Sequence, residues 1–268
     1  MRDSSDEKEV NLKLANNAQS KAQKHPFGFL GKQVFHEDVY RRVGGYLLCG
    51  LLLFVVAWVI GYFLLAEGFL KNTWLVDKIF GIKGSVTFGT WWADRLGETF
   101  KLFKWEFNTE DTFGTWGNVL LVTVKVFAHY FLFALLFILL LNRFKVGRVS
   151  LALFYFLFYS LLTGLVVGTN SYPYPAQGLV RVGALVTFLR FGVWVWFSYA
   201  LLLASTVDWT WLQASSFTDS AWKKEGKFWT WPRLAGDTKE VFIFGLLFLL
   251  VSSFAEARLI VFYGQHFF

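Results

Sequence analysis

The sequence predicts an all-α fold, a polytopic transmembrane helix bundle of about five spans with interfacial amphipathic helices. Two observations lead to this prediction. Of the 268 residues, 55% are hydrophobic, and the mean hydropathy of +0.45 is too high for an ordinary soluble domain. Apolar runs of about twenty residues, which cross about 30 Å of hydrocarbon at about 1.5 Å per residue, also recur along the chain.

The apolar runs divide the chain into a tail and a membrane domain. Residues 1–43 are predicted to form a polar cytoplasmic tail, and residues 44–268 the transmembrane domain. The fourth run is short, and the preceding stretch "GLVRVGALVTFLR" predicts a re-entrant or interfacial helix that extends it. The predicted spans are Gly44–Ala66, Trp116–Leu141, Val149–Gly168, Phe191–Val207 and Val241–Phe262.

The distribution of Lys and Arg predicts the orientation in the membrane. Alternate segments between the spans carry 16 basic residues on one side and 8 on the other. The richer side holds the tail, the tight loop "NRFKVGR" and the fourth loop. Cytoplasmic loops carry the excess of basic residues, so the N-terminus is predicted to lie inside and the C-terminus outside, in the cell membrane.

Two segments between the spans are predicted to lie in the membrane interface. The fourth loop contains five tryptophans around the basic stretch "KKEGK", a composition typical of anchoring at headgroup level. The first outer loop predicts an amphipathic helix, which is either an ordinary interfacial helix or a docking face for another protein. Its apolar positions at helical spacing are Trp92, Leu96, Phe100, Phe103 and Phe107.

The sequence lacks the motifs of common enzymes and cofactor sites. It has no Walker lysine loop, Rossmann glycine fingerprint, HExxH pair or GxSxG elbow, so no catalytic residue and no cofactor are predicted. Cys49 is the only cysteine and the four histidines are scattered, which argues against a metal site. The excess of Lys and Arg is interpreted as topogenic charge, so nucleic acid is not an expected partner.

Charged and polar residues within the spans mark the most informative positions. In the second span, Lys125 and His129 are one turn apart on the same face. In the fifth span, Glu256 shares a stripe with Ser252 and Ser253. Arg258 points roughly the other way and is close enough to the outer end of the span to snorkel.

Glu256 needs a partner, because a charge at mid-membrane costs at least about 2.5 kcal/mol. Lys125 and Glu256 fall at matching depth, since the second span runs inward and the fifth outward. We therefore predict an ion pair of Lys125 with Glu256, completed by Ser252 or Ser253. The alternatives are that Glu256 bonds hydroxyl or backbone groups at a buried helix end, or that it forms a proton or ion site.

The third span carries a stripe of small residues. Ser160, Gly164 and Gly168 recur every four residues along one helical face, a spacing that lets helix backbones approach closely. The stripe is predicted to pack against another span of the same chain, with a seam between subunits as the alternative.

The order of these features resembles the stage II sporulation protein M family of integral membrane proteins, over about Tyr40 to Phe262. The segments that carry the resemblance are "YRRVGGYLLCGLLLFVVAWVIGYFL", "GNVLLVTVKVF" with Asn118, "VSLALFYFLFYSLLTGLVVG" and "LLFLLVSSFAEARL". Family members tend to close on a small-residue pair and a Glu-Ala step, as Ser252, Ser253, Glu256 and Ala257 are placed here. They often have a proline at the start of the fourth span, which "FLRFGVWVWF" lacks.

The resemblance implies a non-catalytic membrane scaffold or accessory subunit that recruits or anchors partner proteins. The expected partners are membrane lipids and other membrane or cell-envelope proteins within a larger complex. Two alternatives come from the residues themselves. The intramembrane polar groups are compatible with a small transporter or permease subunit. The aromatic content of 21% is compatible with an accessory subunit of a photosynthetic or respiratory membrane complex.

Overall fold

The computed structural model describes residues 28–70, 116–171, 181–216, 221–225, 234 and 236–263. This part of the chain is mostly helical, with a small sheet. The α-helices are α1 (Gly28–Val34), α2 (Val39–Leu64), α3 (Trp116–Ala134), α4 (Leu151–Gly168), α5 (Arg181–Thr187), α6 (Val193–Thr206) and α7 (Gly236–Tyr263). The strands are β1 (Phe144–Val146), β2 (Val149–Ser150), β3 (Leu212–Ala214) and β4 (Lys223–Lys224).

Within the described residues, four helical segments are long and apolar enough to cross a membrane, and they correspond to the first, second, third and fifth predicted spans. These segments are Val39–Leu64, Trp116–Arg143, Leu151–Gly168 and Gly236–Arg258. The second includes a π-helical turn (Leu135–Leu139) and a 3₁₀ turn (Leu141–Arg143) after α3. The described chain is therefore a helical protein suited to a membrane.

The fourth predicted span is a shorter helix with a helical extension. α6 has 14 residues, and a π-helical turn (Phe188–Gly192) joins it to α5 without a break. The segment before the predicted span is thus helical, as its sequence predicted. The crossing of the membrane by this fourth segment stays a prediction.

Some of the predicted features lie elsewhere than expected or outside the described residues. α2 begins five residues before the predicted boundary at Gly44, because the side chain of Asp38 caps it by accepting from the backbone N–H groups of Tyr40 and Arg41. α1 lies within the predicted tail. Residues 1–27 of the tail and the amphipathic segment Trp92–Phe107 lie outside the described residues, as do Trp229 and Trp231.

The described residues include a four-stranded sheet, which corrects the prediction of an all-α fold. The strand order is β2-β1-β3-β4, with β1 and β3 parallel and the other pairs antiparallel. Gly147 opens the two-residue turn between β1 and β2 with φ of 60°, a conformation that glycine adopts without strain. Strands of two or three residues are too short to show an alternating pattern, so the sequence did not reveal them.

The sheet joins two loops that the charge pattern assigned to one side. β1 and β2 lie in the loop after the second span, whereas β3 and β4 lie in the fourth loop. Arg42 at the start of α2 forms an ion pair of 3.0 Å with Asp208, which follows α6. The hydroxyl of Tyr40 donates a hydrogen bond to the carboxylate of Glu240 near the start of α7. We call this end of the bundle, formed by the sheet and the starts of α2 and α7, the sheet end.

The opposite end of the bundle joins the ends of α2 and α4. The backbone N–H of Gly68 donates to the carbonyl of Thr169 at 2.6 Å, and Asn170 donates to Glu67 at 2.8 Å. Asn170 adopts a φ of 52°, which asparagine tolerates better than most residues. The two helices therefore run in the same direction.

Glycines allow α2 and α4 to pack with their backbones in close contact. A Cβ atom on Gly164 would collide with the carbonyl oxygen of Phe54, and one on Gly168 would lie 2.5 Å from the carbonyl oxygen of Trp58. On the facing helix, a Cβ on Gly61 would lie 3.2 Å from the Cα of Gly168. The stripe of small residues thus faces α2 of the same chain, which is one of the two arrangements that its spacing allowed.

Candidate functional site

Glu256 is buried inside the bundle on α7. Its residue is 2% exposed, and Ser252 and Ser253 beside it are fully buried, so this stripe faces protein. The hydroxyl of Ser253 donates to the carbonyl of Leu249 within the same helix. Arg258 is exposed, in accord with its position on the other side of the helix. The buried face of α7 therefore presents a carboxyl group to its neighbours.

Tyr130 on α3 supplies the hydrogen bond that the structure shows for this carboxyl group. Its hydroxyl donates to Oε2 of Glu256 at 2.5 Å. The sequence contained a signal for Tyr130 that spacing could have revealed. Tyr130 continues the helical stripe of Val119, Val122 and Val126, and the two buried valines of that stripe pack against α7.

The packing of α3 on α7 also shows their relative direction. Val119 and Val122, near the start of α3, contact Ala257 and Val261, near the end of α7. The two helices therefore run antiparallel. The predicted ion pair of Lys125 with Glu256 stays a prediction, since the structure shows Tyr130 in contact with this carboxyl group.

The other predicted polar residues of the second span are half-buried. The ring of His129 lies 5.9 Å from that of Tyr130, centroid to centroid, and meets it edge-on. Lys125 is one turn earlier on the same helix. Within the described ranges, no group of three or more His, Cys, Asp or Glu residues could hold a metal ion.

Aromatic rings from three helices pack against one another in the region of Glu256. Neighbouring ring centroids are 5.9 to 6.2 Å apart around a closed circuit of Phe133, Tyr155, Tyr159 and Tyr199. Tyr159 and Tyr199 lie close enough to Glu256 to interact with its charge. The hydroxyl of Tyr155 is buried without a hydrogen-bond partner. Glu256 thus lies beside a cluster that is aromatic and carries several hydroxyl groups.

A π-helical turn lies beside this aromatic cluster. It spans Leu135–Leu139 directly after α3, and the N–H of Leu140 donates to the carbonyl of Leu135. Phe137 within the turn stacks on Tyr155 at 4.9 Å. π-helical turns are rare and are frequently found at functional sites, so the turn marks this region as a candidate functional site.

Other buried polar side chains connect helices to one another. Trp196 on α6 donates to the hydroxyl of Ser160 on α4 at 2.7 Å, and that hydroxyl donates to the carbonyl of Phe156. Ser198 on α6 donates to the carbonyl of Gly245 on α7. These bonds satisfy polar groups for which the lipid tails of a membrane offer no hydrogen-bond partner, and they hold three helices together.

The sheet end gathers charged side chains. Arg42 donates to Asp208 and to the backbone carbonyl of Glu37, and Arg143 lies over the ring of Trp209 at 5.8 Å. Burial lowers the pKa of Lys145 from its usual value, although the charges of Asp208 and Glu225 oppose this. Basic groups are therefore partly removed from water at this end.

Comparison with known proteins leaves the function open. Neither a family model, nor a curated protein, nor a solved structure matches this chain. The fold and the composition define the class, a mostly helical protein whose described part contains four helices suited to cross a membrane. Anything more specific is a proposal.

Proposed function

We propose that this chain is a non-catalytic integral membrane scaffold or accessory subunit that recruits or anchors partner proteins, similar to stage II sporulation protein M. It lies in the cell membrane as part of a larger complex, in contact with membrane lipids and with other membrane or cell-envelope proteins. The sheet end and the N-terminus face the cytoplasm in this proposal, and the C-terminus faces outside.

The observation that supports this proposal best is the sheet at one end of the bundle. A scaffold needs a surface outside the hydrocarbon whose shape is fixed, and the sheet provides one. The N–H of Trp211 donates to the carbonyl of Arg143 at 2.8 Å, and the N–H of Glu225 donates to the carbonyl of Trp211 at 2.9 Å. The edge strand Lys223–Lys224 is exposed and offers backbone groups to a further strand.

The connections between helices support the same proposal. Helix-to-helix hydrogen bonds and close glycine contacts favour one fixed arrangement of the bundle. A fixed arrangement suits a protein that holds partners in place, whereas alternating access in a transporter requires parts of the bundle to move against one another.

Purification in a gentle detergent tests the proposal. We expect the tagged chain to retain one or more other proteins in fixed stoichiometry, identified by mass spectrometry, and an absorption spectrum without bound pigment. Trp222→Ala at the sheet end should reduce the retained protein. The matched control is Phe244→Ala, an exposed aromatic residue on the lipid-facing side of α7, which should retain it.

Three results would contradict the proposal. A chain that purifies alone in several mild detergents is not a stable scaffold subunit. Bound pigment or redox subunits would instead indicate an accessory subunit of an energy-converting complex. Equal retention by Trp222→Ala and wild type would show that this part of the sheet end is not the docking surface.

A small transporter or permease subunit is the second candidate, favoured by Glu256. A buried carboxyl group bonded to the hydroxyl of Tyr130, which lies five residues before a π-helical turn, can bind a proton or cation. Proteoliposomes test this function directly. A flux of protons or cations that Glu256→Gln abolishes and that Glu240→Gln at the sheet end leaves intact would support the transporter function. The absence of such a flux with the wild-type chain would exclude it.

A further inference from the structure

We infer that the sheet end contains a site for the phosphate group of an anionic membrane lipid, formed by Arg42, Lys145 and Thr210. The inference concerns a lipid and does not depend on the scaffold function. Three features support it: buried polar groups without partners on two segments that the Arg42–Asp208 ion pair joins, the chemistry of the charges around them, and the level of the site relative to the membrane helices.

Arg42 is the most buried of the three residues. Its side chain is 9% exposed, whereas that of its ion-pair partner Asp208 is 71% exposed. The two terminal nitrogens of the guanidinium donate to Asp208 and to the carbonyl of Glu37. The Nε atom is buried and has no hydrogen-bond partner. A buried donor without an acceptor costs free energy, which an acceptor from a ligand would restore.

The hydroxyl of Thr210 is a second buried group without a hydrogen-bond partner, and it is close in sequence to Asp208, two residues earlier in the chain. A hydroxyl can donate to a phosphate oxygen, as the guanidinium does. The Arg42–Asp208 ion pair joins the segment of Arg42 to the segment of Thr210, and each segment carries a buried polar group without a partner, as a polar ligand would require.

Lys145 adds a positive charge to the same region. The charges that act on it from neighbouring elements are those of Asp208, Glu225 and Arg42. In the sheet Lys145 is paired with Gln213, which is paired in turn with Lys223, so these three residues share one face. Burial disfavours the charged form of Lys145 and lowers its pKa, and a bound anion would oppose that effect.

The net charge of the described residues at the sheet end favours an anion. Eight basic side chains stand against six acidic ones: Arg41, Arg42, Arg143, Lys145, Arg148, Lys223, Lys224 and Lys239 against Glu37, Asp38, Asp208, Glu225, Asp237 and Glu240. Asp208 and Glu225 are exposed, whereas Arg42 is buried and Lys145 half-buried. The two basic groups proposed for the site are therefore less exposed to water than the two carboxylates that act on them.

The level of the site identifies the source of the phosphate. β1 begins directly after the helical segment that ends at Arg143, and Thr210 lies four residues after the end of α6. Trp209, Trp211 and Trp222 surround the same region, and tryptophan is enriched at the level of lipid headgroups. A phosphate group at this depth is that of a lipid headgroup, to which adjacent basic residues are attracted.

Nanodiscs of defined lipid composition test the inference. The full chain is placed in phosphatidylcholine nanodiscs, or in nanodiscs in which part of that lipid is replaced by phosphatidylglycerol, and Tm and retained lipids are measured. We expect phosphatidylglycerol to raise the Tm of the wild type and to be retained in native mass spectra. Lys145→Gln should retain about fivefold less phosphatidylglycerol, the effect of one basic residue near a membrane surface.

Matched variants separate a specific site from general charge attraction. Lys239→Gln removes an exposed lysine at the start of α7, also at the sheet end, and should retain phosphatidylglycerol as the wild type does. Thr210→Val removes a hydroxyl without changing charge and should weaken retention too. Equal losses for Lys145→Gln and Lys239→Gln would overturn the inference, as would unchanged retention in Thr210→Val.

A final arm distinguishes lipid from free phosphate. Detergent-solubilised protein is heated with and without millimolar inorganic phosphate at constant ionic strength. We expect no shift of Tm that depends on Lys145. A shift of Tm that Lys145→Gln abolishes would assign the site to a soluble anion and overturn the assignment to a lipid. Equal retention of phosphatidylcholine and phosphatidylglycerol would also overturn the assignment to an anionic lipid.

Discussion

The hydroxyl of Tyr130 on α3 donates a 2.5 Å hydrogen bond to the carboxyl group of Glu256 on α7, across a fully buried helix contact. This bond connects two antiparallel helices inside the bundle, where both residues are buried from water. Removal of one partner leaves the other buried and unsatisfied, which costs more than the bond itself contributes.

Tyr130→Phe tests this bond with minimal change in shape. We expect it to destabilise the protein in detergent by about 1 to 3 kcal/mol, the cost of an unsatisfied buried group. Tyr155→Phe is the matched control, because its hydroxyl is buried without a hydrogen-bond partner, and it should change stability little or increase it. Unfolding followed by circular dichroism measures both. Equal losses of stability in Tyr130→Phe and Tyr155→Phe would show that the hydrogen bond of Tyr130 to Glu256 does not stabilise the protein.

A double variant tests the predicted ion pair of Lys125 with Glu256. If the pair forms, Glu256→Gln should cost about 3 to 5 kcal/mol, and the addition of Lys125→Met should recover much of that loss. A double variant no more stable than Glu256→Gln alone would leave Tyr130 as the partner. The two experiments together assign the contacts of the carboxyl group.

The glycine contact between α2 and α4 gives the next prediction. Gly164→Ala should destabilise the protein by about 1 to 3 kcal/mol, because the new methyl group would collide with the backbone of Phe54 and force the helices apart. Gly164→Leu should cost more, and more than Leu165→Ala on the neighbouring position. Thermal unfolding in detergent measures these differences.

Gly117→Ala is the control for the glycine prediction. A Cβ at Gly117 meets nothing within 4 Å, so alanine there should stabilise α3 slightly through its better helix propensity. If Gly164→Ala behaved in the same way, the close approach of α2 and α4 would be wrong.

The sequence was sufficient for features that depend on local pattern. Hydrophobic runs revealed four long apolar helices because a helix that crosses a membrane must cover the whole hydrocarbon, and the four-residue spacing of Ser160, Gly164 and Gly168 revealed a packing stripe. It was not sufficient for partners distant in the chain. Nothing local shows that Gly164 meets Phe54 or that Glu256 meets Tyr130, since these contacts depend on how the helices are arranged.

The sheet shows a different limit of the sequence. β1 and β3 form through pairing between two loops more than sixty residues apart, and each has only three residues. The position of Asp208 beside Arg42 depends on the same pairing of loops. Charge counting did assign both loops to one side, because it depends on segments and not on contacts.

The partly buried Lys145 predicts a dependence of stability on pH. Its pKa is lower in the folded protein than in the unfolded chain, so the unfolded chain binds more protons between the two values. The stability of the wild type should therefore rise with pH through that window. In zwitterionic detergent, Lys145→Gln should have the higher Tm at neutral pH, and the advantage should shrink at alkaline pH. A difference in Tm between Lys145→Gln and the wild type that stays the same at every pH would contradict the burial of the Lys145 charge.

The ion pair at the sheet end can be tested by removal of its exposed member. Asp208→Asn leaves the buried guanidinium of Arg42 with one carbonyl acceptor, so we expect a loss of about 1 to 2 kcal/mol, less than for a fully buried pair. Glu225→Gln removes a nearby exposed carboxylate that is not bonded to Arg42, and should cost less. A larger loss for Glu225→Gln would show that general charge balance, and not the pair, stabilises this end.

Topology can be tested with single cysteines, because Cys49 is the only native one. In a Cys49→Ala background, Arg148→Cys in the turn before β2 and Lys223→Cys in β4 should react with a membrane-impermeant maleimide from the same side, since both strands belong to one sheet. The excess of basic residues predicts that this side is the cytoplasm, and that His266→Cys, which lies outside the described residues, reacts from outside. Labelling of Arg148→Cys and Lys223→Cys from opposite sides would disprove the sheet. Labelling of all three positions from the reverse sides would keep the fold and defeat the charge argument for its orientation.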